Sequence, residues 1–153
     1  MSQLDPRWST LKIGKTFLTV GRWGCALTCV CMLTTYLALQ KKNPALIVKP
    51  DVGVKKFSFD AGGRIVWQSV TQKVPGLIFV ERAFKEDKKR IADAIAGPNK
   101  AVLLNVANGA HWVVAIAVAQ NDYVIVDPLG GGVCMAKSKY HNVVGAAYFD
   151  IQP

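Results

Sequence analysis

Apolar positions follow two different periods in two parts of the chain. Between Cys25 and Gln40, the residues Leu27, Val30, Cys31, Leu33, Thr34 and Leu37 recur at helical spacing, and most residues between them are small or apolar too. A helix apolar on most faces is a buried, central one. It should end at Lys41-Lys42-Asn43-Pro44, where cations suit the negative end of the dipole and proline cannot continue the turn. The last third instead runs in strand-length apolar pieces: 101–106, His111 to Ala119, Tyr123 to Asp127, Val133 to Ala136 and Val144 to Asp150. Asn108-Gly109 and Gln120-Asn121-Asp122 read as turns, and Pro128-Leu129-Gly130-Gly131-Gly132 as a mobile loop.

The remaining stretches carry weaker patterns. Residues Ser2 to Arg22 read as an irregular lead-in punctuated by Pro6, Gly14 and Gly21, with Trp8 and Trp23 pinning it to the domain. Pro44 and Pro50 break the segment from Asn43 to Gln72, where Phe57 to Asp60 reads as a short strand, Gly62-Gly63 as a turn and Trp67 as part of a short helix or strand. Leu77 to Val80 reads as a strand, and Glu86 to Ala96 as an amphipathic helix ended by Gly97-Pro98. Helix first and antiparallel sheet last predict an α+β fold: one domain over residues 1–153, its central N-terminal helix packed on a C-terminal antiparallel sheet.

Composition narrows the class. A hydrophobic share of 51% argues against disorder. The longest apolar runs are interrupted by Thr, Gly or Lys, so no membrane span is expected. Met1 to Pro6 has no basic region followed by an apolar run, so no secretory signal is read and the chain is expected to be cytoplasmic as synthesised. The net charge of +9 would draw anionic polymers such as nucleic acid, teichoic acid or acidic lipid, although no phosphate-binding glycine loop or aromatic-interleaved basic motif accompanies it. Of four cysteines, Cys25, Cys29 and Cys31 share one helix and are poorly placed for mutual disulfides. Their spacing is no standard zinc pattern, so no metal or other cofactor is expected, and Cys29, Cys31 and Cys134 read as small core residues.

Cys25 differs from the others because Gly24-Cys25 opens the buried helix. A cysteine in a first turn meets free N–H groups and the positive end of the dipole, and both favour the nucleophilic thiolate. His111 is the candidate base and Asp127 the carboxylate to orient it. If the turn between their strands centres on Asn121, odd-numbered positions share a face and the two side chains point the same way. Perfect pairing would set Gly131 opposite His111, so twist, a bulge or a tighter turn must close the gap. Given contact, Cys25 attacks a carbonyl, His111 moves the proton and Asp127 holds the tautomer. The Cys25 N–H and a side-chain amide, with Gln3 the available one, would form the oxyanion hole. Trp23, Gly24 and Trp112 are candidates to line the cleft. His141 lies in a polar stretch without an evident carboxylate partner.

In this order, Gln3-x-Asp5-Pro6-Arg7-Trp8, Gly24-Cys25-Ala26-Leu27-Thr28, His111-Trp112-Val113-Val114 and Tyr123-x-Ile125-x-Asp127-Pro128 resemble the papain-like cysteine peptidases. Within that group the chain is most similar to the branch of the bacteriocin-processing, double-glycine leader peptidases; residues 43–100 match poorly. The resemblance implies a papain-like fold, a triad of Cys25, His111 and Asp127, and Gln3 as oxyanion glutamine, although many relatives carry that glutamine only a few residues before the cysteine. Leader peptidases are fused to transporters, and none is present here, so leader processing is not implied. Free-standing relatives occur in bacteria and phages.

The expected activity is hydrolysis of a peptide or isopeptide bond in a protein or a peptidoglycan cross-link. Reaching a cell wall would require delivery by a phage or a non-classical route. Transfer of the acyl group to an amine, and a non-catalytic basic binding module on the same scaffold, are the alternatives. Oligomeric state is not legible.

Overall fold

The computed structural model describes residues Met1–Gln152, so the last residue of the expected 1–153 domain lies outside it. Its centre is a six-stranded antiparallel sheet in the order β1-β6-β2-β3-β4-β5. The strands are β1 (Leu77–Ala83), β2 (Lys100–Val106), β3 (His111–Ala119), β4 (Asp122–Val126), β5 (Val133–Met135) and β6 (Val143–Ile151). The helices are α1 (Val20–Trp23), α2 (Cys25–Gln40), α3 (Pro50–Lys56), α4 (Trp67–Lys73), α5 (Lys88–Ala96) and α6 (Ala136–Tyr140). No helix among the described residues is long and apolar enough to cross a membrane.

Two apolar clusters hold helices to opposite faces of the sheet. Leu27, Val30, Leu33 and Leu37 of α2 pack with Leu103, Val114 and Phe149 on one face. Ile91 and Ala94 of α5 and Ala136 of α6 pack with Val102, Val113, Ile125 and Tyr148 on the other. Alternation along each strand supplies both faces, as expected for a sheet covered on both sides. The α+β class and the central helix on an antiparallel sheet agree with expectation, and α2 spans the residues that the periodicity predicts.

Several local expectations need correction. The lead-in contains a helical turn, α1, joined to α2 through Gly24. Pro50 starts a helix rather than breaking one, because proline at a first helical position has no N–H to lose. The stretch at Phe57–Asp60 makes only an isolated bridge, Phe59 to Ile65. Trp67 begins α4 and packs into an aromatic group with Phe79, Trp112 and Phe149, at ring separations of 5.2–5.9 Å. Asp87 accepts from the Arg90 N–H at 3.0 Å and caps α5, which therefore starts after Glu86. The expected strand end at Ala136 is instead the start of α6. Pro128 to Gly132 forms a loop closed on itself, with Asp127 N–H donating to the Gly132 carbonyl at 2.8 Å and Gly131 N–H to the Asp127 carbonyl at 2.7 Å. Gly130 and Gly131 take φ of +114° and +76°, which glycine adopts without strain. Cys29 and Cys31 are core residues, but Cys134 is half-buried on a short strand; all four cysteines are free.

Candidate active site

Cys25 is the first residue of α2 and is 9% exposed. Gly24 must precede it. A Cβ at Gly24 would lie 2.5 Å from the Val20 carbonyl oxygen, so only glycine lets α1 turn this closely into α2. The Thr28 N–H closes the first turn on the Gly24 carbonyl at 2.8 Å. The N–H groups of Cys25 and Ala26 are therefore left pointing out of the helix end without an intrahelical acceptor.

His111 opens β3, and its Nε2 lies 2.8 Å from Asp127 Oδ1. The register shows how this arises. The hairpin turn is tighter than expected, with Ala119 opposite Asp122 and Val118 opposite Tyr123. Continued unchanged, that register would pair odd positions with even ones and turn Asp127 to the face opposite His111. A bulge at Ile116 adds one residue to β3, after which Ala115 faces Ile125 and Val114 faces Val126. Odd positions then share a face, and Asp127 sits diagonally across from His111 within side-chain reach.

Asp127 is 2% exposed and has both carboxylate oxygens filled. Oδ1 accepts from His111 and from the Leu129 N–H at 2.9 Å. Oδ2 accepts from Lys139 Nζ and from the Tyr140 hydroxyl, each at 2.5 Å. Burial raises the carboxyl pKa, but these donors outweigh it and hold Asp127 well below the usual range, so it is ionised. Burial likewise opposes the charged imidazole. The hydrogen bond to Asp127 and the nearby Cys25 prevail and raise the His111 pKa to about 9. With Nε2 engaged by Asp127, Nδ1 is the nitrogen left for the thiol.

Lys139 and Tyr140 are site residues beyond the sequence candidates. They lie on α6, a five-residue helix that β5 brings under β4, and the His111 and Tyr140 rings are 5.2 Å apart. Burial and the Asp127 hydrogen bond push the Tyr140 pKa up to about 12. No local pattern marks these residues, because what brings them to Asp127 is the strand pairing. His141, their neighbour, caps α6 at φ +68° and is exposed.

Gln3 is buried, at 2% exposure. Its N–H donates to the Pro128 carbonyl at 2.8 Å, and its Nε2 to the Gly21 carbonyl at 2.9 Å. It therefore ties the loop after Asp127 to the helix before Cys25, and its Oε1 has no partner. Trp8, not Trp23, anchors the lead-in: Trp8 is buried and its Nε1 donates to the Ser2 carbonyl at 2.8 Å. Trp23 is 54% exposed and, with Trp112, lines a cleft of about 450 Å³ that contains Cys25. Gly24, expected on that wall, packs against Val20 instead. Arg64 and Arg82 also face the cleft. A second hollow of about 440 Å³, lined by Met32, Tyr36, Val114 and Ile116, is bordered by no histidine, cysteine or carboxylate. Among the described residues, no cluster of three or more His, Cys, Asp or Glu side chains is arranged to hold a metal ion.

No protein-family profile matches the chain, and no curated protein matches it in sequence. A solved structure does match in shape: a double-glycine motif protease from an AMS/PCAT transporter, crystallised in complex with the leader peptide. The alignment covers 95% of this chain and 94% of that one, with a TM-score of 0.54 and 15% identity. At that identity the likeness concerns the fold, and the chain has the papain-like fold of a double-glycine peptidase.

Proposed function

We propose that this chain is a cysteine peptidase that cleaves a peptide or isopeptide bond through an acyl-enzyme on Cys25. The observation that carries the reading is the buried His111–Asp127 pair at 2.8 Å, with Cys25, at the start of a buried helix, among the groups that raise the imidazole pKa. An ionised carboxylate on Nε2 fixes the ring and leaves Nδ1 for the neighbouring thiol, the arrangement a thiolate–imidazole pair needs.

The chemistry follows from those contacts. A raised His111 pKa favours the imidazolium, which stabilises the Cys25 thiolate beside it. The thiolate adds to the substrate carbonyl, and the free N–H of Cys25 donates to the oxyanion that forms. The second hydrogen of the Gln3 amide is the candidate second donor. His111 gives its proton to the leaving amine, and the thioester remains. The now neutral imidazole takes a proton from water, which attacks the thioester and releases the carboxylate product. An amine in place of water would give acyl transfer by the same steps. Asp127 stays ionised throughout and keeps Nε2 protonated, leaving Nδ1 to shuttle the proton.

The substrate is proposed to be a peptide chain, in a protein or in a peptidoglycan cross-link. The solved structure of similar fold was crystallised with a leader peptide, which supports a peptide in the cleft. The test is alkylation of the native protein with iodoacetamide from pH 4 to 9, with mapping by mass spectrometry. Selective labelling of Cys25, fast well below pH 8 and lost in His111→Ala, is expected. Reaction of Cys25 no faster than of the other three cysteines would overturn the reading.

A further inference from the structure

Arg82 stands out among the charged groups of the Cys25 cleft. It comes from β1, an edge strand whose alternation is broken at Val80. Phe79 pairs with Phe149, and the next paired residue, Glu81, faces Tyr148. The extra residue moves Glu81 to the α5 side of the sheet, where it pairs with Arg90. The same slip moves Arg82 opposite Ala147, to the side of α2 and the cleft. Without it, Arg82 would point away from Cys25.

There the guanidinium is held by rings rather than by acids. Its Cζ lies 4.6 Å from the Phe84 ring centre and 5.3 Å from that of Trp112, the residue next to His111. Stacking uses the flat face of the group and leaves its N–H edge free. Asp60, the acid on the cleft wall, is already committed. Its Oδ1 accepts from the Gly62 and Arg64 N–H groups, and its Oδ2 from Arg64 Nε at 2.9 Å. Burial and the Arg64 charge lower the Arg82 pKa, and no carboxylate is among the groups acting on it. A guanidinium fork backed by two rings, open to the cleft and without an acid partner, is complementary to a carboxylate.

We propose that Arg82 is a specificity residue that binds a carboxylate of the peptide substrate close to the scissile bond. That carboxylate is either an acidic side chain or the end of the chain. The proposal rests on the peptidase reading above and adds the substrate class: acidic peptides.

Two sets of thiol-directed peptides test it on the full chain. Tetrapeptidyl chloromethyl ketones carrying Glu or Gln at each position in turn probe the acyl side of the cleft. Bromoacetyl-Gly-Gln-Gly amide, its Glu counterpart and its free acid probe the leaving-group side; in each, the Cys25 thiolate displaces the halide. Rates are divided by the iodoacetamide rate of the same variant, which cancels changes in the thiolate itself. A roughly tenfold preference for the carboxylate form at one position is expected, falling below about twofold in Arg82→Gln and persisting in Lys55→Gln, which removes the same charge outside the cleft. Preference for Glu over Gln identifies a side chain, and preference for the free acid over the amide identifies a chain end. Arg82→Glu should favour Lys over Gln at the same position. Equal preferences in wild type and Arg82→Gln, or no preference in wild type, overturn the assignment while selective iodoacetamide labelling still supports the peptidase. Loss of that labelling overturns both.

Discussion

His111 and Asp127 meet at 2.8 Å only because β3 carries one residue more than its turn requires. The turn at Gln120-Asn121 sets a register that would send Asp127 to the α2 side of the sheet, and the bulge at Ile116 returns it to the side of His111. A second bulge, at Val80, sends Arg82 into the cleft. Bulges re-aim side chains without rebuilding a sheet, and here both bulges act on residues around one thiol.

If Asp127 holds His111 as a cation, Asp127→Asn should lower the imidazole pKa from about 9 toward the ordinary value near 6.5. Histidine ring proton shifts followed by NMR read this directly. The iodoacetamide profile of Cys25 should move with it, and labelling near pH 6 should fall at least tenfold. An unchanged imidazole pKa would separate the geometry from the electrostatics.

The same shift makes a stability prediction. A histidine whose folded pKa lies above its unfolded value contributes stability in full below about pH 6.5 and loses it as pH rises through about 9. Wild-type unfolding free energy should therefore fall by roughly 2–3 kcal/mol across that window relative to His111→Gln. Urea denaturation at pH 6, 7.5 and 9 gives both slopes. Parallel curves would show that the pair is not charged in the folded state.

Lys139 shares Oδ2 of Asp127 with Tyr140 and competes with His111 for the same negative charge. Lys139→Gln should raise the His111 pKa by up to about one unit, and Lys139→Arg should leave it near the wild-type value. Tyr140→Phe removes an uncharged donor and should loosen the ring more than it shifts the titration. Alkylation profiles of the three variants distinguish a charge effect from a purely structural one.

Gly24→Ala brings a methyl group to 2.5 Å from the Val20 carbonyl oxygen, inside contact distance with backbone that cannot swing away. A loss of roughly 2–4 kcal/mol in urea unfolding is expected. Where the variant folds, α1 must shift, and Cys25 labelling should slow with it. Gly130→Ala faces no neighbouring atom within 4 Å, and its cost should be limited to its φ of +114°.

By itself, the sequence determined the elements whose signals are local and redundant. The bounds of α2, the strands of the last third, the α+β class and the choice of Cys25, His111 and Asp127 as candidates were all legible, because helical and strand periods repeat along several residues. A single extra residue, however, leaves the apolar pattern almost unchanged and reverses every side chain beyond it. That is why the tight turn with its bulge at Ile116, and the aim of Arg82, were decided only by the paired sheet. Lys139 and Tyr140 reach Asp127 across 12 and 13 residues through β5 and α6, and Gln3 reaches Gly21 across 18. Such contacts are set by the packing of elements on one another, and no spacing within a single element encodes them.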